Sequence, residues 1–579
     1  MPDRSHPPAT AHTRVRATAW SGAVVALLLI ATFIVFGSLP AGGATPEPET
    51  AETTPTPLAT ASASPTPTAE PTPTITPTPD PSPTATATPT PTTSATPTPT
   101  PTPTTSATPI PPIPAGVTTS TVTLPTLLIA IVVLLGSGLF VWAVTRNPSQ
   151  PTETSTRPAS AARPPVSVTI GAATAAGRAM IDSGYPVGMV RDAMQDIAAT
   201  NGQPGAQIVV LPTSVTVSAA NDDSEVSTRT VTAGESTRLL YQIDLVDRIV
   251  RKARTRSGSA AWARRSLESI DEQPPPFPTW QRVIAYGLLS GALAVLLGAT
   301  AIGVALAMIV GVGVGAVLIA GQRVSATYQG LIVVGVSFGV GLVVLAFAHG
   351  IDSGVTPMLI APLIMLLPGG LLTIAVLELA SGDIVSGAAR AAAGGMRLIL
   401  LGAGLVAAVS LLGVPAFTST WGGSPLGPVA PWIAVAVFGV ALSVYQCARP
   451  ASIGWILVVL YVAYGAQVIG EIFLNGPLSA LVGAVAMTPV AVLLSRQKTG
   501  PPTIVSFLPA FWLLVPGALG LTGVATLLHG DTAGITTLVS TVATMVAIAL
   551  GVLIGLAATT LLRRPPREIV EFLEDEPAL

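Results

Sequence analysis

The chain has 579 residues, 49% of them apolar and only 10% charged, with a formal net charge of −2 and a single cysteine. Soluble domains carry about a quarter charged residues, so most of this chain is not built for water. A near-zero net charge gives no bulk basis for nucleic-acid binding. One cysteine, Cys447, excludes an intrachain disulfide or a cysteine-based metal site.

The first apolar segment runs from about Trp20 to Leu39, behind Arg4, Arg14 and Arg16. Residues 1–44 read as a signal anchor, or as a signal peptide cut near Ala44. Either reading puts residues 45–120 outside the cytoplasm. This segment is almost entirely Pro, Thr, Ala and Ser and contains no Lys or Arg. Repeated Thr-Pro pairs deny it a core and bias it to extended polyproline II. It is expected to be a disordered stalk, either O-glycosylated and touching the cell wall or a plain spacer.

A second membrane helix, within 121–146, brings the chain back, and Arg146 marks the cytoplasmic side. Residues 147–279 then have the composition of a soluble domain. Val168 to Ser183 reads as an amphipathic helix with Gly184 as its C-terminal cap. Pro186 to Thr200 reads as a second helix, with Pro in the first turn where its missing N–H costs nothing. Ala206 to Leu211, Ser214 to Ala219 and Thr228 to Thr232 read as strands, with Pro212-Thr213 bending or bulging the chain between the first two. Leu239 to Ala253 and Ala260 to Ile270 complete a small α/β domain. It has no phosphate-binding loop, no dinucleotide-binding glycine pattern and no HExxH, and all four histidines (His6, His12, His349, His529) fall outside it. The expectation is therefore a protein that is not an enzyme and uses no cofactor or metal. Arg248, Arg251, Lys252, Arg254 and Arg256 form a basic run that suits a solvated helix face or anionic lipid.

After Trp280, apolar runs of bilayer length follow one another, at about 283–298, 301–320, 328–348, 357–379 and 391–414, then 431–447, 453–470, 477–495, 503–527 and 536–562. In the fourth run Pro368-Gly369 precedes Gly382-Asp383 by fourteen residues; in the ninth, Pro516-Gly517 precedes Gly530-Asp531 by the same fourteen. The predicted fold is an α-helical polytopic membrane protein with two inverted five-helix repeats, 280–415 and 416–565, and an acidic cytoplasmic tail, 566–579. An odd number of crossings turns the second copy upside down, the plan of many secondary transporters. The charges agree: Arg282, Arg323, Arg390, Arg449, Arg496, Lys498, Arg563 and Arg564 all fall on the inner side, and the outer loops hold no Lys or Arg. Arg397 lies near the inner end of its span.

Proline inside a span removes a backbone donor, and the glycine beside it loosens the helix further. Two such breaks at mid-depth would present helix ends to a small polar ligand, so Pro368, Gly369, Pro516 and Gly517 are the predicted substrate-binding residues. A zwitterionic amino acid suits dipole ends of both signs; the plainer reading is a kink in a packed helix. Intramembrane ionisable residues are functional candidates because burying them is costly. Glu378 and Asp383 inside and Asp531 outside are the predicted proton-coupling groups, with Glu471, His349 and His529 as further titratable residues at outer ends. Taken singly, each also reads as a helix cap or a solvated loop residue.

Gly177-Arg178, Ser183-Gly184-Tyr185, Arg191, Val210-Leu211-Pro212-Thr213-Ser214, Pro278-Thr279-Trp280 and the two Pro-Gly spans, in that order, make residues 165–565 resemble the threonine/serine exporter family. The resemblance implies export of threonine, serine or related small amino acids across the plasma membrane, driven by the proton gradient. It also implies one chain carrying two parts that some relatives divide between two polypeptides. The N-terminal extension departs from that pattern and favours, as the alternative, a cell-wall-attached sensor or scaffold. A channel is the third reading. Oligomeric state is left open.

Overall fold

A computed structural model describes residues 124–145, 164–220, 225–234, 238–347, 355–412, 426–474, 476–497, 499–514, 516–528 and 530–561. The expected anchor, stalk and acidic tail lie outside the described residues, as do His6, His12, Arg146, His349, Lys498, His529, Arg563 and Arg564.

Helix α1 (Leu124–Thr145) is apolar throughout. It packs on a later membrane helix, α13 (Pro450–Leu474). Ala130 is fully buried beside Trp432 and Val468, and Leu134 sits over Gly465, where an added Cβ would come within 3.2 Å of Leu134 Cγ.

The α/β domain opens with α2 (Val166–Asp182) and α3 (Val187–Thr200). Gly184, at φ +79°, ends α2 in a left-handed turn. Its N–H reaches Ile181 O and the Tyr185 N–H reaches Met180 O, the paired closure of a Schellman cap. Strands β1 (Gln207–Leu211), β2 (Ser214–Ala220) and β3 (Val226–Thr232) form one antiparallel sheet in that order. Pro212-Thr213 proves to be a tight two-residue hairpin turn rather than a bulge, because Leu211 pairs directly with Ser214. Along β2, Val215, Val217 and Ala219 are buried while Thr216 and Ser218 turn outward and bond Thr230 and Thr228 across the ladder. The buried face meets α2 at Gly177, where a Cβ would collide with Met194 Sδ and press on Val215. Helices α4 (Leu240–Thr255) and α5 (Ala260–Glu268) complete the domain.

The membrane region continues with α6 (Thr279–Leu296), α7 (Ala301–Gly321), α8 (Gln329–Phe347), the short α9 (Thr356–Ile360), α10 (Gly369–Ala380) and α11 (Ile384–Leu412). Then come α12 (Ala430–Tyr445), α13, α14 (Pro477–Leu494), α15 (Thr503–Leu513), α16 (Pro516–Leu528) and α17 (Ala533–Leu561). Six of these helices are long and apolar enough to cross a bilayer, and α15 with α16 makes a seventh span if the bent pair crosses once. Ile302, Ile309, Leu331, Phe347, Leu411 and Val539 are exposed apolar side chains on them, a surface suited to lipid. The chain is a multi-pass membrane protein.

Small residues let these helices close up. Gly404 and Gly341 join α11 to α8 against Ser337 and Ala408; Gly551 and Gly555 join α17 to α14 against Ala484 and Thr488. Helix α6 packs on α12, α11 on α16, and α10 on α17. Arg390 is not in an inner loop. Helix α11 starts at Ile384 and runs through it, because a carboxylate partner offsets the cost of burying its charge there.

Candidate functional site

Both Pro-Gly steps interrupt the backbone. In the first half α9 passes through a short 3-10 turn (Ala361–Leu363) before Pro368 caps α10. In the second, α15 stops at Leu513, and the helix after it is bent by 41°. Each following helix ends at its Gly-Asp pair by one mechanism. Gly382 (φ +87°) and Gly530 (φ +93°) take the left-handed position; Asp383 N–H bonds Glu378 O and Asp531 N–H bonds Thr526 O. The shared fourteen-residue spacing is therefore the length of a helix from start to cap. Twelve residues give α10 a length of about 18 Å, little more than half of a bilayer core.

The two breaks touch. A Cβ on Gly517 would stand 3.0 Å from Leu367 Cβ and 3.2 Å from the Gly369 nitrogen, so the backbones meet because position 517 is glycine. The gap between them is lined by Leu293, Ile364, Leu367, Phe511 and Trp512 with the two glycines, and holds about 10 Å³. That admits about one water and no amino acid. Its side-chain lining is apolar, not the polar cavity the breaks suggested. The Pro362 carbonyl, beside the break, instead accepts from the hydroxyl of Tyr286 on α6 at 2.9 Å. Tyr286 is fully buried and stands edge-on to Tyr445 of α12, 4.8 Å between ring centres. Backbone at membrane depth persists only where a neighbour supplies such a partner. Ser506 of α15 is buried with no hydrogen-bond partner for its hydroxyl among the described residues.

Glu378 and Asp383 lie where α10 meets the α/β domain. Glu378 is 1% exposed, and its carboxylate lies 3.2 Å from Arg390 Nε. It also accepts from Ser386 Oγ at 2.7 Å and from the Val187 N–H, at the first residue of α3, at 3.0 Å. Arg390 Nη2 donates in turn to the Tyr185 carbonyl at 3.1 Å. Asp383 takes Arg191 of α3 at 2.8 Å. The left-handed Gly184 thus swings the chain so that Tyr185, Val187 and Arg191 all face the end of one half-helix. The Tyr185 hydroxyl donates to Asp247 at 3.0 Å, and burial, reinforced by that carboxylate, holds its pKa well above the usual tyrosine value.

A second junction joins the soluble domain to the other half of the bundle. The Leu240 and Tyr241 N–H groups bond the carbonyls of Gln446 and Cys447. Asp244, buried, bridges Arg248 and Arg449 at 2.9 and 2.8 Å, and Arg248 also reaches the Gly500 carbonyl. Most of the basic run is accordingly occupied within the protein: Arg251 pairs with Asp247, Arg254 with Asp196, and Lys252 sits 4.9 Å over the Trp262 ring. Asp531 is exposed, and its carboxylate caps Ala533 N–H at 2.8 Å. Glu471 lies in the last turn of α13. Sequence reasoning placed Glu378 and Asp383 as inner-end acids but missed Tyr185, Val187, Ser386 and Arg390 as their partners.

The sequence of residues 172–412 matches the model of the family described as "Putative threonine/serine exporter". Over these residues the chain is similar to that family, whose description is of exporters. The match runs from α2 to the last residue of α11, so it takes in the Gly184 turn, the Pro368-Gly369 break and the Glu378–Arg390 pair. The second half of the bundle lies outside it, short of the 165–565 that the exporter motifs suggested. No curated protein and no solved structure matches the chain.

Proposed function

We propose that the protein exports small amino acids, threonine and serine first among them, across the plasma membrane as a proton-coupled secondary transporter. The observation that carries the reading is the backbone contact between Gly369 and Gly517, which joins two interrupted helices at one point. Helix ends meeting inside a bundle are the usual place for a small zwitterion, with its carboxylate at N-termini and its ammonium at carbonyls. The 10 Å³ gap then belongs to a closed state that must widen to admit substrate.

Two inverted halves of five helices support such widening. The packing is reciprocal: α11 lies on α16 as α17 lies on α10, the α8–α11 pair has its counterpart in α14–α17, and α6 meets its own counterpart α12. A pseudo-two-fold relation between the halves accounts for all three. Rocking one half against the other would expose the breaks to each side in turn. In this reading Pro368, Gly369, Pro516 and Gly517 surround the substrate, Glu378 and Asp383 handle the proton inside, and Asp531 handles it outside. Protonating Glu378 would weaken its hold on Arg390 and Val187 together, which links proton uptake to release of α10.

The test is efflux of labelled threonine from dipeptide-loaded cells, with and without an uncoupler. Pro368→Ala and Pro516→Ala are expected to lower efflux about tenfold or more while the protein still inserts, since each heals a helix break. Absence of threonine and serine efflux attributable to the protein would sink the substrate claim. Flux indifferent to the uncoupler would make it a channel.

A further inference from the structure

The gap between the two breaks is filled on one side by residues 361–367, the stretch that joins α9 to Pro368. Ile364 and Leu367 of this stretch line the gap. Neighbouring elements hold the same stretch at two atoms. The Pro362 carbonyl accepts from the Tyr286 hydroxyl of α6 at 2.9 Å, and Met365 Sδ accepts from Gln446 Nε2, beyond the end of α12, at 3.3 Å. The second contact reaches across from the other half of the bundle.

Gln446 is also where the α/β domain takes hold. The end of a helix leaves its last carbonyls without partners inside it. At the end of α12, Tyr445 O accepts from Arg282 Nε of α6 at 3.0 Å, Gln446 O from the Leu240 N–H at 2.9 Å and Cys447 O from the Tyr241 N–H at 3.2 Å. Leu240 and Tyr241 open α4, so the α/β domain holds this turn by its backbone while the Gln446 side chain holds the stretch that fills the gap. Cys447 stands at φ +54°, the one non-glycine residue in the left-handed region among the described residues. A residue with a Cβ keeps that conformation only where its surroundings over-determine it, and the α4 contacts do so here. A turn held against its own preference relaxes once those contacts are lost.

We propose that the turn at residues 445–447 is a latch through which the α/β domain keeps the gap between the breaks closed, with Gln446 as its positioning residue. The latch deepens the transport reading and rests on it. For the gap to widen, Ile364 and Leu367 must move, and Met365 then leaves Gln446. A substrate that binds only the widened state thereby draws the turn off α4. The single cysteine of the chain reports on this directly. Cys447 is fully buried, so N-ethylmaleimide reaches its thiol only when the turn opens. Alkylation of the full chain in detergent micelles, followed by intact mass, is expected to run about threefold faster or more with saturating threonine or serine. Met365→Leu and Gln446→Leu delete one bond from its two ends at similar volume, and each is expected to speed alkylation about threefold or more without substrate. The double variant is expected to match the faster single one, which a general loosening of the fold would not do. The latch is overturned if threonine and serine leave the rate unchanged in protein whose efflux is intact, if either Leu variant labels at the parent's rate, or if the two effects multiply. Absence of efflux would sink the transport reading, while the Leu variants alone would still uphold or overturn the latch.

Discussion

In the first half of the bundle the helix beyond the break, α10, runs into Glu378 and Asp383 beneath the α/β domain, where four groups hold the two carboxylates. In the second half its counterpart, α16, runs to a Gly-Asp cap of the same geometry, but Asp531 there holds only the first turn of the next helix. Near the breaks the two helices are equivalents that touch through glycine; at their far ends one is tethered and the other is not. The symmetry comes from the short motifs, Pro-Gly to start and Gly-Asp to stop. The asymmetry comes from the α/β domain, which grips one end only. On the proposed transport reading, a helix tethered at its far end and one that is not would open the two faces of the membrane by different means.

Matched substitutions at the two ends sharpen that contrast. Glu378→Ala strands the buried Arg390 charge and leaves the Val187 N–H and Ser386 hydroxyl without their acceptor. A loss of about 3–5 kcal/mol is expected, read as a large drop in thermal midpoint in detergent. Asp531→Ala, its counterpart, removes an exposed cap and should cost only about 0.5–1 kcal/mol in the same measurement. Equal losses would mean that the soluble domain does not single out α10. At the touching point, Gly517→Leu drives a side chain into Leu367 and the Gly369 backbone. Overpacking of about 1–3 kcal/mol is expected, with efflux falling further than stability alone accounts for. The smallest effect belongs to Arg191→Ala: its pair with Asp383 is half exposed on the arginine side, so about 0.2–1 kcal/mol is expected, measurable by a double-mutant cycle with Asp383→Ala.

The sequence reached the parts of this architecture that are written locally. Apolar run lengths placed six helices that can cross a bilayer, or seven with the bent pair, of the ten runs expected; α10 and α12 fall short of that length. Gly184 was legible as a stop because a left-handed cap calls for glycine; Gly382 and Gly530, read only as a spaced motif, are caps of the same kind. What escaped was whatever depends on pairing across the chain. Val187 and Glu378 stand 191 residues apart, and no periodicity announces that one will donate to the other. Arg390 was read as a loop charge because counting charges says nothing of a buried partner. The apolar filling of the gap, by Phe511, Trp512 and Leu367, follows from side-chain volumes in three dimensions rather than from the order of residues. Pro212-Thr213 carried a turn signal in its composition, but only strand register made it a hairpin.

Helix α1 reaches its place beside Gly465 and Trp432 only after more than three hundred further residues have been made. At ordinary rates of synthesis that leaves it on the order of tens of seconds without its partner. During that wait Ala130 and its neighbours face lipid or a chaperone, so this helix docks as one of the last assembly steps despite being among the first elements to emerge. A ribosome paused within α13 would hold the protein with the contact of Arg248 to the Gly500 carbonyl still unmade.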